Sequence, residues 1–117
     1  MKIRTVYFKV SEMEKLVAFW QEFFEQIPLK RTPYWSEFKS ENINFGLLWE
    51  DGFTVENDRS NFVPVFEFKA SELEVMKNRA TSLGGKVRVD MKDHPDQKSY
   101  LLCDPFGNEF EITKFHD

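Results

Sequence analysis

The chain carries one phrase twice, "FKVSEMEKL" at residues 8–16 and "FKASELEVM" at residues 68–76. Phe8/Phe68, Lys9/Lys69, Ser11/Ser71, Glu12/Glu72 and Glu14/Glu74 are identical, while Val10/Ala70 and Met13/Leu73 stay apolar. In both copies an alternating run leads into Ser-x-x-Glu, the pattern in which a Ser hydroxyl and a Glu carboxylate satisfy free amides at a helix start. Each copy therefore predicts a strand feeding a helix.

The flanks repeat the same order. Val6, Phe8 and Val10 alternate with Thr5, Tyr7 and Lys9, and Met13, Leu16, Val17, Trp20 and Phe24 follow at helical spacing. Around the second copy, Phe66 and Phe68 alternate with Val65, Glu67 and Lys69. Leu73, Met76 and Leu83 then form a stripe that stops at Gly84-Gly85. Three short strands are expected after each helix. In the first half they fall near Leu29 to Thr32, in "YWSEF" and in "INFGLLWE"; in the second they are "KVRVDM", "KSYLLC" and "EFEITKF". The polar segment "DGFTVENDRSN" at residues 51–61 reads as a linker, and the Pro and Gly of residues 104–108 suit a tight reversal. The expected layout is a single domain over residues 1–117, with a first module at 1–50, the linker at 51–61 and a second module at 62–117. A half of about 55 residues that cannot bury its own sheet can be completed by a duplicate of itself.

Composition narrows the function classes. The 117 residues suit one domain; 41% are hydrophobic and 31% charged, as in ordinary globular proteins, but 13 Phe beside 3 Trp and 3 Tyr require a core or a pocket to receive them. A net charge of −4 lacks the basic footprint that nucleic acid or an anionic membrane surface requires, so neither partner is expected. Cys103 is the only cysteine, and the amino terminus turns polar at once, so a cytoplasmic location is expected.

With the repeat, "VYFKVSEMEKLVAFWQEFF" at residues 6–24, including the Phe19-Trp20 pair, and "DPFGNEFEI" at residues 104–112 resemble the vicinal oxygen chelate superfamily. That superfamily includes glyoxalase I, extradiol dioxygenases, and fosfomycin- and bleomycin-resistance proteins. The resemblance implies an α+β fold of two βαβββ modules forming a curved-sheet cleft with helices on the outer face, the glyoxalase/bleomycin resistance fold. It also implies a homodimer. Strand parity within that fold sends Thr5, Tyr7, Lys9, Trp35, Glu37, Val65, Glu67, Lys69, Glu109, Glu111 and Thr113 to the cleft side.

The resemblance carries a test for metal chemistry. Metal-dependent members use His and carboxylate ligands at four positions, which fall here on Thr5, about Gly46, Val65 and Glu111. Only Glu111 keeps a good donor, so no metal and no other cofactor is expected. His94 in a polar loop and His116 near the end do not rebuild the set. Glu111 is the only candidate catalytic group. It is read either as an ion-pair partner of Lys9 or Lys69, or as a general base or anchor for a cation, and Glu67 is read the same way. Tyr7 and Trp35 suit stacking on a planar or cationic molecule, whereas Trp49, sharing a strand face with Phe45 and Leu47, is expected in the core. Cys103 is expected to pack, and no Ser/His/Asp set, phosphate loop or CxxC pair is present.

The expected function is a small-molecule binder for an aromatic or cationic ligand, with Tyr7, Trp35, Glu67 and Glu111 lining the site, in the manner of metal-free bleomycin-resistance proteins. The alternatives are a lyase, isomerase or dioxygenase of the same superfamily, or an interaction module without a small ligand.

Overall fold

Alternation and helical spacing each produce the expected element. The computed structural model describes residues 4–55, 63–91 and 97–115, so His94 and His116 lie outside the described residues, as does most of the expected linker. The first compact unit, Met1–Thr54, contains β1 (Thr5–Val10), α1 (Met13–Phe24), β2 (Lys30–Arg31), β3 (Trp35–Phe38) and β4 (Asn44–Trp49). The second, Val55–Asp117, contains β5 (Val65–Glu67), a 3-10 turn (Ala70–Glu72), α2 (Leu73–Ser82), β6 (Lys86–Asp90), β7 (Gln97–Cys103) and β8 (Glu109–Phe115).

The two sheets have the same strand order, β1-β4-β3-β2 and β5-β8-β7-β6. In each, the first strand pairs parallel with the last and the remaining neighbours are antiparallel. This is the βαβββ module written twice. No helix among the described residues is long and apolar enough to cross a membrane.

Each helix buries its apolar stripe on one face of its own sheet. In the first unit Leu16, Val17, Trp20 and Phe23 of α1 are fully buried, as are Val10, Phe38, Phe45 and Leu47 on the strands or nearly so. Trp20 is central: its ring centroid lies 4.8 Å from that of Phe45, 5.0 Å from Phe19 and 5.3 Å from Phe24. In the second unit a smaller set, Leu73, Met76 and Ala80, meets Leu102, Phe110 and Ile112.

Two expectations about helix starts and core are corrected. Among the described residues neither α1 nor α2 is capped by a side chain; α1 starts at Met13, and Ser71 lies inside the 3-10 turn that leads into α2. The glutamates of the two motifs serve other partners instead. Glu14 lies 3.5 Å from Arg31, while Glu74 lies 3.0 Å from Lys77 and accepts a hydrogen bond from the Tyr100 hydroxyl. Trp49 is not core, since it is 36% exposed, sits edge-on to Tyr34 at 5.7 Å and donates its indole N–H to the Ser11 carbonyl at 3.2 Å. It closes the last position of β4, where an amphipathic indole can keep one side wet and still satisfy a carbonyl.

Candidate functional site

The sheet face away from α1 holds the most organised constellation of the first unit. The parallel register places Tyr7 beside Gly46, and the antiparallel register places Gly46 beside Glu37, so these three form one row across β1, β4 and β3. In the adjoining row, Lys9, Leu48 and Trp35 stand side by side. Trp35 leans out of its row over the glycine: a Cβ built on Gly46 would stand 2.2 Å from Cη2 of the indole and 2.7 Å from Cζ2. Only a residue without a side chain leaves that space, which is one reason a glycine is kept within a strand. The indole then reaches Tyr7 edge-on, with centroids 5.6 Å apart and planes at 76°. Such edge-to-face pairs are favoured by the ring quadrupoles.

Glu37 is clamped in this arrangement. The Trp35 indole N–H donates to Oε1 at 3.0 Å, and Asn44 Nδ2 donates to Oε2 at 2.6 Å. Asn44 is itself oriented from the β3–β4 turn, where the Ser40 amide donates to Asn44 Oδ1 at 3.4 Å. The Asn44 bond, followed by the Trp35 bond, holds the Glu37 carboxyl below its ordinary value; desolvation opposes the shift, and Lys30 and Arg4 assist it. Hydrogen bonds donated to a carboxylate favour its charged form. The face therefore presents two aromatic rings beside a carboxylate that stays ionised.

Tyr7 and Trp35, expected at the site from the sequence, are brought together. Glu67 and Glu111 stand on the second unit, on adjacent strands and on the same face of that sheet: Val65 pairs in register with Glu111, and Glu67 with Thr113. Glu67 is exposed and Glu111 half-buried. Lys9, proposed from sequence as a partner of Glu111, lies 3.3 Å from Glu50. Val65 and Leu101, the register partners of Glu111, are apolar, and Ser99, Glu109 and Thr113 are polar but buried. Glu109 lies 3.4 Å from Arg88 Nε, and the hydroxyls of Ser99 and Thr113 are 2.7 Å apart. Burial pushes the Cys103 thiol up from its ordinary range, which fits a packing role.

Sequence reasoning sent Glu37 to this face without giving it a role, and it passed over Asn44. A signal for both was available, because an amide and a carboxylate at Asn44 and Glu37 flank a glycine across two neighbouring strands. Reading it required the register.

The register also corrects one alignment. Thr5 pairs with Asn44 while Val65 pairs with Glu111, so the first-unit counterpart of Glu111 is Asn44 rather than Gly46. The positions at which the superfamily resemblance would place metal donors thus carry a hydroxyl, an amide, an isopropyl group and one carboxylate. Val65 has no donor atom, and the Asn44 amide is engaged with Glu37 and Ser40. This set does not fit a catalytic divalent cation. Among the described residues no three His, Cys, Asp or Glu side chains form a metal-holding group.

A repeated βαβββ unit with a helix against one sheet face defines the class, the glyoxalase/bleomycin resistance fold. The chain belongs to the glyoxalase-like domain family, whose sequence model matches residues 5–113. No curated protein matches it. Similar solved structures include a glyoxalase/bleomycin resistance protein/dioxygenase family enzyme from Burkholderia phytofirmans PsJN, at 15% identity and a TM-score of 0.79, covering 99% of this chain and 100% of that one. The fosfomycin resistance protein FosX from Mesorhizobium loti is similar at 15% identity and a TM-score of 0.73, covering 97% and 90%. Lactoylglutathione lyase from Agrobacterium tumefaciens is similar at 18% identity and a TM-score of 0.69, covering 96% and 92%. At these identities the likeness is one of fold.

Proposed function

We propose that this protein binds a small molecule with a flat aromatic or cationic group, and that it does so without a catalytic metal, as a homodimer. One observation carries the reading: the Trp35 indole is laid across Gly46 on the open sheet face, edge-on to Tyr7 and tied to an ionised carboxylate. An aromatic side chain filling core would sit on the helix side, where Phe38 and Phe45 are. Instead these rings occupy the face on which a stacked ligand gains dispersion and, if cationic, attraction to the ring quadrupole. Membership of a family whose fold is shared by a fosfomycin resistance protein and a lactoylglutathione lyase supports a small-molecule role.

The test is a thermal-shift screen with planar aromatic and cationic compounds on the wild type and on Trp35→Ala. Hits should lose about 1–3 kcal/mol of binding in the variant, the usual loss for a truncated aromatic anchor. Its melting temperature should move by much less than the cost of about 3–5 kcal/mol for a core tryptophan would require. A variant that melts far lower with no selective loss of binding turns the constellation into ordinary packing. Metal analysis of protein purified without chelator should find no stoichiometric divalent ion, and stoichiometric metal would favour the lyase, isomerase or dioxygenase alternative. Light scattering tests the homodimer, against which a monomer at high concentration would count.

A further inference from the structure

We infer that Glu37 is the charge-recognising group of this face, that the ligand group it receives is a planar cation, and that Asn44 is the positioning residue that holds it for that task. The inference rests on the binding role proposed above and adds the charge of the ligand and two residues to it.

Glu37 is half-buried on β3, and each of its oxygens already accepts one bond, from Trp35 Nε1 at 3.0 Å and from Asn44 Nδ2 at 2.6 Å. A carboxylate oxygen has two acceptor sites, so each retains one for an incoming donor. The two existing donors fix the plane of the group, and the Ser40 amide fixes the Asn44 amide in turn. A carboxylate fixed in this way is a poor proton shuttle, because both bonds favour its charged form. It is a good fixed anion, and it borders the Trp35 and Tyr7 rings. A flat cation can therefore lie against the aromatic surface and donate to the free lone pairs at its edge, as guanidinium and amidinium groups do with carboxylates. The charged groups around Glu37 are Lys30, its register partner on β2, and Arg4, just before β1. Both are cations on exposed chain, where salt screens their competition with a ligand.

The experiment uses three isosteric probes, benzamidine (cation), benzamide (neutral) and benzoate (anion), with binding measured by calorimetry and by the indole N–H resonances. At neutral pH benzamidine should bind about tenfold or more tighter than benzamide, the worth of one charge-assisted bond, and benzoate should bind most weakly. Glu37→Gln should bring the benzamidine and benzamide affinities to within about twofold of each other and shift the Trp35 indole N–H resonance. Asn44→Ala should keep the preference at neutral pH but lose it at a higher pH than the wild type as the solution is acidified, because Glu37 then protonates nearer its ordinary value of 4.5. Melting curves of both variants control for folding. If cation and neutral probe bind equally to the wild type, or if Glu37→Gln leaves the ratio unchanged, the inference fails while aromatic binding at Trp35 stands. If no probe binds and Trp35→Ala changes nothing, the inference and the binding role fall together.

Discussion

The two units share a strand order and a sixty-residue phrase, yet they fill the same slots with different matter. Trp20, which anchors the aromatic core of the first unit, stands 60 positions before Ala80, and both are fully buried. Met13 and Leu16 correspond in the same way to Leu73 and Met76, all four buried. A fold of this kind constrains which positions are inward and apolar, and leaves the volume at each position to local complementarity. The open faces diverge further. The first carries Tyr7, Trp35, Glu37 and Asn44, and the second holds a buried Glu109 beside half-buried Arg88 and the buried Ser99–Thr113 hydroxyl pair. A duplicated scaffold thus keeps its parity while the chemistry on it drifts.

The largest test of that contrast is at the shared slot. Trp20→Ala should cost about 3–5 kcal/mol in denaturant unfolding, whereas Ala80→Leu should cost about 1–3 kcal/mol by overpacking. Equal tolerance of both changes would mean that the two cores are interchangeable.

The hairpin turns come next. Asp104 is buried and accepts from the amides of Phe106 at 3.0 Å and Asn108 at 2.9 Å and from Asn108 Nδ2 at 3.0 Å. In the first unit's turn, Ser40 is exposed and donates its hydroxyl to the Ile43 carbonyl. Asp104→Ala should lower stability by about 1.5–3 kcal/mol, because charge-assisted bonds are lost and buried donors are left unmet, and Ser40→Ala by about 0.5–1.5 kcal/mol. Thermal melts of the pair decide whether the second turn is the stiffer one.

Helix ends differ on a smaller scale. Past α1 the chain turns through Glu25 at φ 52°, and past α2 through Gly84 at φ 99°. A side chain in the left-handed region costs about 1–2 kcal/mol, so Glu25→Gly should stabilise the protein by about 1 kcal/mol and Gly84→Ala should destabilise it by a similar amount. Opposite signs in urea unfolding are the expected outcome.

The smallest effect concerns pH. In each unit a carboxyl is held below its ordinary value of 4.5: Glu37 on the open face, chiefly through Asn44, and Glu74 on α2, chiefly through the Tyr100 hydroxyl. A depressed carboxyl adds stability above the unfolded value, and that contribution is lost as pH falls through the folded one. The stability gap between wild type and Tyr100→Phe should therefore be widest above pH 4.5 and close on acidification. A gap that is constant with pH would remove Glu74 as the partner that matters. Glu74 is exposed, so the gap should be small.

Much of this was legible in the residues. The repeated phrase, the helical stripes and the alternating runs determined two strand–helix–three-strand modules, because periods of 2 and 3.6 residues are local properties of the backbone. Strand parity, read within the fold that the superfamily resemblance implied, also placed Tyr7, Trp35 and Glu37 on the open face. What required the tertiary structure was everything that depends on pairing between distant strands. The Ser-x-x-Glu motifs promised helix caps, but their glutamates found Arg31, Tyr100 and Lys77, partners that folding alone brings near. Trp49 carried the same parity as Phe45 and Leu47, yet the strand ends there and leaves its indole to the Ser11 carbonyl. The Trp35–Glu37–Asn44 clamp depends on the β3–β4 register and on the bare Gly46 between its members. A shift of one residue in that register would send half the set to the other face, and no local property of the sequence fixes it.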